Sequence, residues 1–170
     1  ATSGRGRTVR GTLLHLRAQT IADRLEVILI GPEASSFDDL APAETAGFAR
    51  CRRLDIGPFD EVERAFVPGI RAATAPLVAL LENHVYPEPD WAAAIVRAFE
   101  GSWSAVGSII TNANTDTATS WVEHLMTYGR HDETARGGEV ARIPRNNSAF
   151  RRDVLLAFGD GLPDVLARRV

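Results

Sequence analysis

The chain has 170 residues, 45% of them hydrophobic, which is enough for one domain with its own core. Its formal net charge of -3 gives no electrostatic reason to expect nucleic acid as a partner. All 19 basic residues are arginines, so the sequence excludes lysine-dependent chemistry such as a Schiff base or a Walker-type phosphate loop. The sequence shows no signal-peptide pattern and no apolar run of membrane-spanning length, so we expect a cytoplasmic location and no membrane span.

Hydrophobic spacing predicts helices that alternate with strands along the chain. Val9, Leu13 and Leu16 lie at helical spacing, and a short β-branched run at residues 26–30 is typical of a central strand. The further predicted elements are a strand at 49–56, a helix at 61–73 that Pro68 kinks or ends early, a strand at 77–81, a helix capped by Asp90, a strand at 105–111, a helix at 119–128, a strand end at 148–150 and a helix at 153–158. This alternation predicts a mostly parallel sheet covered by helices on both faces.

Two side chains that suit a metal ion follow the strand predicted at 77–81. This strand ends on Glu82, Asn83 and His84, and two prolines just beyond prevent it from continuing. Side chains alternate along a strand, so we expect Glu82 and His84 to face one ligand while Asn83 faces away. A carboxylate and an imidazole are suitable ligands for a divalent cation such as Mn²⁺. The alternative is a hydrogen-bonded pair at the strand end that holds no metal.

Short segments in a characteristic order indicate a family. They are Ala1-Thr2-Ser3-Gly4-Arg5, Ala18-Gln19-Thr20, Gly69-Ile70-Arg71-Ala72-Ala73, Glu82-Asn83-His84, the prolines 87 and 89 with Trp91, and Asn147-Ser148-Ala149-Phe150-Arg151-Arg152. In order and spacing they resemble the P-T-Y-N-R, A-Q-T, G-I-x-x-A, D-x-D, P-x-P-x-W and N-x-A-x-R-R segments of the family 2 glycosyltransferases. The resemblance runs over essentially the whole chain.

This resemblance implies a single three-layer α/β/α domain of the GT-A type over residues 1–170, truncated at both ends, without the family's first strand and C-terminal part. It also implies transfer of a sugar from a nucleotide diphosphate sugar to an acceptor, metal-assisted and inverting. The residues implied to bind the nucleotide sugar are Thr2, Arg5, Glu33, Glu82, Asn147 and Arg151. Glu82 and His84 are implied to hold Mn²⁺ or Mg²⁺, and Asp160 and Asp164 are candidates for the catalytic base, although either is equally suited to cap a helix.

Two departures from the family pattern leave other functions open. The predicted strand at 26–30 is followed by Gly31-Pro32 where the family has acidic residues, so that Glu33 is the nearest carboxylate. The segment Glu82-Asn83-His84 also differs from D-x-D. A GT-A-like domain that has lost catalysis and serves as a binding or structural module therefore stays an alternative. An unrelated flavodoxin-like regulatory domain is a further one.

Overall fold

The computed structural model describes residues 8–131, 137–144 and 147–167. The helices are α1 (Arg10–Arg17), α2 (Pro42–Thr45), α3 (Val62–Ala72), α4 (Trp91–Ala98), α5 (Ala118–Tyr128), α6 (Arg152–Leu156) and α7 (Leu162–Ala167), with short 3-10 helices at Ala22–Arg24, Ala34–Phe37 and Gly159–Gly161. The strands are β1 (Glu26–Gly31), β2 (Arg50–Asp55), β3 (Leu77–Leu80), β4 (Ala105–Gly107) and β5 (Ser148–Arg151). Within these ranges, no helix combines the length and the apolar character needed to cross a membrane.

The described strands form two sheets rather than one. β1 and β2 pair in parallel, with Glu26 opposite Arg50. β5 lies between β3 and β4 and is antiparallel to both, with Leu80 of β3 opposite Ser148 of β5. The prediction of an α/β fold is confirmed, whereas a single, mostly parallel central sheet is not shown, because the described strands divide into a parallel pair and an antiparallel three-stranded sheet.

Helices cover both faces of the strands, which gives three layers. Successive side chains of a strand point to opposite faces, so Val27 and Leu29 of β1 pack in one cluster and Ile28 and Ile30 in another. The first cluster receives Val9, Leu13 and Leu16 from α1, and the second receives Phe66 and Ile70 from α3 together with Leu155, Leu162 and Leu166 from α6 and α7. A third cluster joins Ile95 of α4 and Phe99, just beyond it, to Ala149 of β5.

α3 lies very close to β1 because residue 69 is a glycine. A Cβ atom added at Gly69 would stand 2.5 Å from Cδ1 of Ile30, which is closer than two carbon atoms pack. Gly69 therefore has a packing role, because the missing Cβ lets the helix pack closely against the strand.

Two sequence predictions need correction. α3 covers Val62–Ala72 of the helix expected at 61–73, so it does not end early at Pro68 but runs through it. The proline removes one backbone hydrogen bond, and the burial of the neighbouring Phe66, Val67 and Ile70 holds the helix in place despite that loss. β4 covers only Ala105–Gly107 of the strand expected at 105–111, because its partner β5 is itself short.

Candidate functional site

Polar side chains gather where β3 ends and β5 begins. The carbonyl of Leu80, the last residue of β3, accepts a hydrogen bond from the backbone N–H of Asn147 at 2.6 Å. Glu82 and His84 follow Leu80 in a loop that contains a turn. Open α/β folds bind their ligands beyond the carboxyl ends of strands, so we take this group as the candidate site.

The structure brings Glu82 and His84 together. Oε2 of Glu82 lies 3.5 Å from Nε2 of His84, and the two side chains are 19% and 68% exposed. The reason for this proximity differs from the predicted one. β3 ends at Leu80, so the loop that follows, and not strand alternation, sets the positions of Glu82 and His84. The prediction that Asn83 faces away is wrong. Its Oδ1 lies 3.1 Å from Nδ1 of His84, and its Nδ2 donates to Oγ1 of Thr8 at 3.0 Å.

The contacts of His84 determine what the pair can bind. If Nδ1 donates its hydrogen to Asn83, a neutral imidazole leaves the lone pair of Nε2 next to the carboxylate of Glu82. These two electron-rich atoms are stabilised by a proton on Nε2, which makes an ion pair, or by a cation that contacts both. Two ligand atoms at about 2.1 Å from one cation stand about 3 Å apart in octahedral geometry, so a separation of 3.5 Å needs only a small adjustment. The residues present therefore fit a divalent cation.

Asn147 adds a buried oxygen that has no donor among the described residues. The residue is 5% exposed and adopts a left-handed backbone conformation with a φ of 63°, which asparagine tolerates better than most residues. Within the described part of the chain, Oδ1 of Asn147 has no hydrogen-bond partner. A buried acceptor in this state costs about 1–3 kcal/mol, so this oxygen is suited to a ligand hydroxyl or a cation.

Tyr128, at the end of α5, contacts the same carboxylate oxygen of Glu82 that faces His84. Its hydroxyl donates to Oε2 of Glu82 at 3.4 Å. Burial raises the pKa of Tyr128, and the negative charge of Glu82 and the hydrogen bond to it raise the pKa further, so the phenol keeps its proton and remains a donor. Sequence reasoning missed this residue, because a tyrosine 46 positions away from Glu82 has no spacing that indicates the contact.

The side chain of Gln19 forms hydrogen bonds with the segment that follows the site. Its side chain is buried, its Oε1 accepts the backbone N–H of Ala92 at 2.9 Å, and its Nε2 donates to the carbonyls of Glu88 at 2.7 Å and His15 at 3.1 Å. Asp90 is the N-cap residue of α4, as predicted, but its side chain makes no capping hydrogen bond, and Gln19 serves the first turn of the helix instead. The Gln19 side chain thus ties the loop that leads from Glu82 into α4 to the end of α1.

Arg151 lies away from this group. It stands opposite Leu77 at the start of β3, whereas Glu82 follows the end of that strand. Its guanidinium donates to the carbonyls of Phe99 at 2.8 Å, Gly101 at 2.9 Å and Trp103 at 2.9 Å. The side chain therefore secures the chain beyond α4, and the structure does not bring it to Glu82.

The two candidates for a catalytic base lie beside α3. Oδ1 of Asp160 is 3.7 Å from Arg71, and Oδ1 of Asp164 is 3.6 Å from Arg64. Both carboxylates are exposed, so these ion pairs contribute little to stability. Their contacts are with the outer surface of this helix rather than with the loop that carries Glu82.

The other predicted residues lie near the end of β1 or outside the described ranges. Glu33 is exposed, and its backbone N–H donates to Oγ of Ser36 at 3.3 Å. A Cβ at Gly31 would stand 2.8 Å from Cβ of Ser36, so close packing explains the glycine at the position where the resemblance led us to expect acidic residues. Thr2 and Arg5 lie outside the described residues.

Glu82 and His84 supply only part of a coordination shell. In residues 8–131, 137–144 and 147–167, no group of three or more histidine, cysteine, aspartate or glutamate side chains is placed to hold a metal. A cation at this pair therefore needs further oxygen ligands from a bound phosphate or from water.

The comparisons with known proteins identify the family of the chain. The model of the family described as Glycosyl transferase family 2 matches residues 2–158, a range that includes Glu82, His84, Tyr128 and Asn147. Neither the comparison with curated proteins nor the comparison with solved structures gave a match. A family match over this much of the sequence is decisive, and the chain belongs to glycosyl transferase family 2.

Proposed function

We propose that the domain transfers a sugar from a nucleoside diphosphate sugar to an acceptor, with inversion, and that Mn²⁺ or Mg²⁺ at Glu82 and His84 assists the transfer. Family membership supports the GT-A α/β fold and sugar transfer from a nucleotide sugar in general. The cation, the acceptor and the stereochemical course are the parts that we propose. The observation that carries the cation is the approach of Oε2 of Glu82 to Nε2 of His84, 3.5 Å apart beyond the end of β3.

The surrounding side chains hold this pair in position. Asn83 contacts Nδ1 of the His84 ring and leaves Nε2 for the ligand, while the hydroxyl of Tyr128 restrains the carboxylate of Glu82. A divalent cation bound there supplies positive charge against the diphosphate as the bond to the sugar breaks. Because both side chains are restrained by neighbours, the site is partly organised before the ligand arrives.

Asn147 and the acidic residues take separate roles in this proposal. The buried Oδ1 of Asn147 lacks a donor among the described residues, and a sugar hydroxyl would supply one. Inversion also needs a carboxylate that takes the proton of the acceptor hydroxyl. Asp160 and Asp164 are the candidates from the sequence. Each contacts a different arginine of α3, so each should be tested by its own substitution.

A GT-A-like binding or structural module that has lost catalysis is the second candidate function. One observation favours it: β1 ends in Gly31, against which Ser36 packs, so no side-chain carboxylate stands at that position to contact a nucleotide. Glu33, two residues further on, is exposed and is the nearest acidic side chain in sequence.

Release of nucleoside diphosphate from a panel of nucleotide sugars tests the proposal. We expect release to require Mn²⁺ or Mg²⁺, and to fall at least about tenfold in Glu82→Gln and His84→Ala, since removing one charged or ligating contact costs about 1.4 kcal/mol or more. Glu123→Gln, an exposed carboxylate on α5, is the matched control and should behave as wild type. Release that is equally fast in EDTA would contradict the role of the cation. Binding of nucleotide sugars without release would favour the binding module.

A further inference from the structure

α5 turns its polar side to the rest of the protein. Ser120, His124 and Tyr128 are spaced four apart and therefore lie on one face of the helix. His124 is the buried residue of α5, the hydroxyl of Ser120 donates to Oδ1 of Asn112 at 3.1 Å, and the hydroxyl of Tyr128 donates to Glu82. The contacts that attach this helix are thus made by a polar face, whereas a surface helix normally buries its apolar stripe.

The apolar side chains of α5 are exposed to solvent instead. The four large ones are between 41% and 83% exposed, and they are Trp121, Val122, Leu125 and Met126. Helical geometry places them on one side of α5, with the exposed Ala118 at one end and the C-cap residue Gly129, whose backbone is still helical, at the other. We call these six residues the α5 stripe. A charge-free stripe of this kind at the surface indicates a binding partner.

The size and the charge of the α5 stripe restrict the partner. Its large side chains expose on the order of 400 Å² per chain, against about 800 Å² per partner in a standard protein interface. The stripe and its rim therefore suit a small, reversible protein contact. α5 contains one acid, Glu123, and no arginine. Helices that lie on anionic membranes are rich in basic residues, so this composition favours a protein partner over a lipid surface.

The order of residues along the α5 stripe is self-complementary. A two-fold axis through its midpoint sets two copies of the helix antiparallel, so that residues at equal distances from the midpoint face each other. Val122 then faces Leu125 of a second copy, Trp121 faces Met126, and Ala118 faces Gly129. Large side chains meet large ones, and small residues at both ends let the helices approach. A contact between identical surfaces requires this kind of match.

We propose that a second copy of this chain packs on the α5 stripe, with the two α5 helices antiparallel about a two-fold axis. The small area implies a weak dimer, with a Kd of about 1–100 μM. Dimerisation also holds α5 in place, and with it the hydroxyl of Tyr128 that contacts Glu82. The inference rests on the exposure and the order of the stripe residues, and it holds whether or not the site is catalytic.

Sedimentation velocity of the 170-residue chain from about 1 μM to about 500 μM tests the proposal. We expect the mass to rise from one chain to two, and Val122→Glu or Met126→Glu to weaken the dimer at least about tenfold, because each buries an unpaired charge. Both residues are exposed, so circular dichroism should show an unchanged fold. Thr127→Glu, an exposed position on the opposite side of α5, is the matched control and should dimerise as wild type. A chain that stays monomeric throughout, or a dimer that neither stripe substitution weakens, would overturn the proposal.

A mixture of two variants tests the antiparallel pairing. Val122→Glu and Leu125→Arg should each be monomeric at concentrations at which wild type dimerises. Mixed in equal amounts they should form dimers again, because the introduced carboxylate of one chain then faces the introduced guanidinium of the other. The second contact between these two positions remains apolar in the mixed dimer. A mixture that stays monomeric would overturn the antiparallel pairing.

Vesicles distinguish the protein partner from a lipid surface. The probe is a suspension of phosphatidylcholine vesicles that contain phosphatidylserine, with which the wild-type chain should not co-sediment, since α5 lacks basic residues. Co-sedimentation of a monomeric chain that Met126→Glu abolishes and Thr127→Glu preserves would assign the α5 stripe to lipid and overturn the proposal.

Discussion

Replacement of Gln19 by leucine removes the polar contacts between the end of α1 and the segment that leads into α4. Leucine keeps nearly the same volume and leaves the buried N–H of Ala92 without its acceptor. An unsatisfied buried N–H costs about 1–3 kcal/mol, whereas the carbonyl of the exposed Glu88 can turn to water. We therefore expect the free energy of unfolding to fall by about 2 kcal/mol, which corresponds to a drop in Tm of about 4–8 °C for a domain of this size.

Thermal unfolding followed by circular dichroism, together with urea titration, measures this change. Thr20→Ala is the control, because Thr20 bonds to the carbonyl of Pro89 through its backbone and its side chain is exposed. It should change stability by less than about 0.5 kcal/mol. If Gln19→Leu and Thr20→Ala unfold at the same temperature, the Gln19 contacts do not hold the segment and the reasoning fails.

Three further predictions concern packing, pH and the role of Arg151. The Cβ of Gly69→Ala must displace Cδ1 of Ile30, so Ile30→Val should cost less stability in the Gly69→Ala chain than in the wild-type chain, as urea titration would show; equal costs would contradict the close packing. Burial alone raises the pKa of Glu26, but hydrogen bonds from Thr74 and the nearby Arg52 outweigh it and lower the pKa. The stabilisation by ionised Glu26 is therefore present above the unfolded pKa near 4.5 and is lost as the pH falls through the lower folded pKa. The free energy of unfolding of wild type should thus exceed that of Glu26→Gln by less in acid than at neutral pH. A difference that is constant with pH would contradict this. Arg151→Ala should lower the free energy of unfolding by about 1–2 kcal/mol and leave the Kd for nucleotide unchanged, whereas a weaker Kd would place Arg151 in the site after all.

The periodic parts of the fold could be predicted from the sequence. β1, β2, β3 and α5 lie within two residues of their predicted bounds, because their apolar residues repeat at the spacing of the element that buries them. The early end expected at Pro68 is wrong because the sequence shows the lost hydrogen bond but not the burial of Phe66 and Ile70 beside it. The division into two sheets could not be predicted, since it depends on which strand edges meet, and periodicity carries no information about neighbours.

The candidate site was predictable only where its residues are close in sequence. Glu82 and His84 come from one short segment, and the structure brings them together. Asn147 and Arg151, the two site residues expected from the segment 147–152, are separated because β5 is antiparallel to β3. Asn147 therefore lies at the end of β3 and Arg151 at its start. Tyr128 reaches Glu82 only through the tertiary fold, and no local pattern indicates such a contact.

Calorimetric titration of uridine diphosphate, with and without Mn²⁺, tests the central claim most directly. Glu82 and His84 provide only two protein ligands, so Mn²⁺ should bind weakly alone and tightly once phosphate oxygens complete its shell. Mn²⁺ should then raise nucleotide affinity roughly 5- to 150-fold, nucleotide should raise Mn²⁺ affinity by the same factor, and His84→Ala should remove most of this coupling. Nucleotide affinity that is the same with and without Mn²⁺ would contradict metal-assisted transfer at this site.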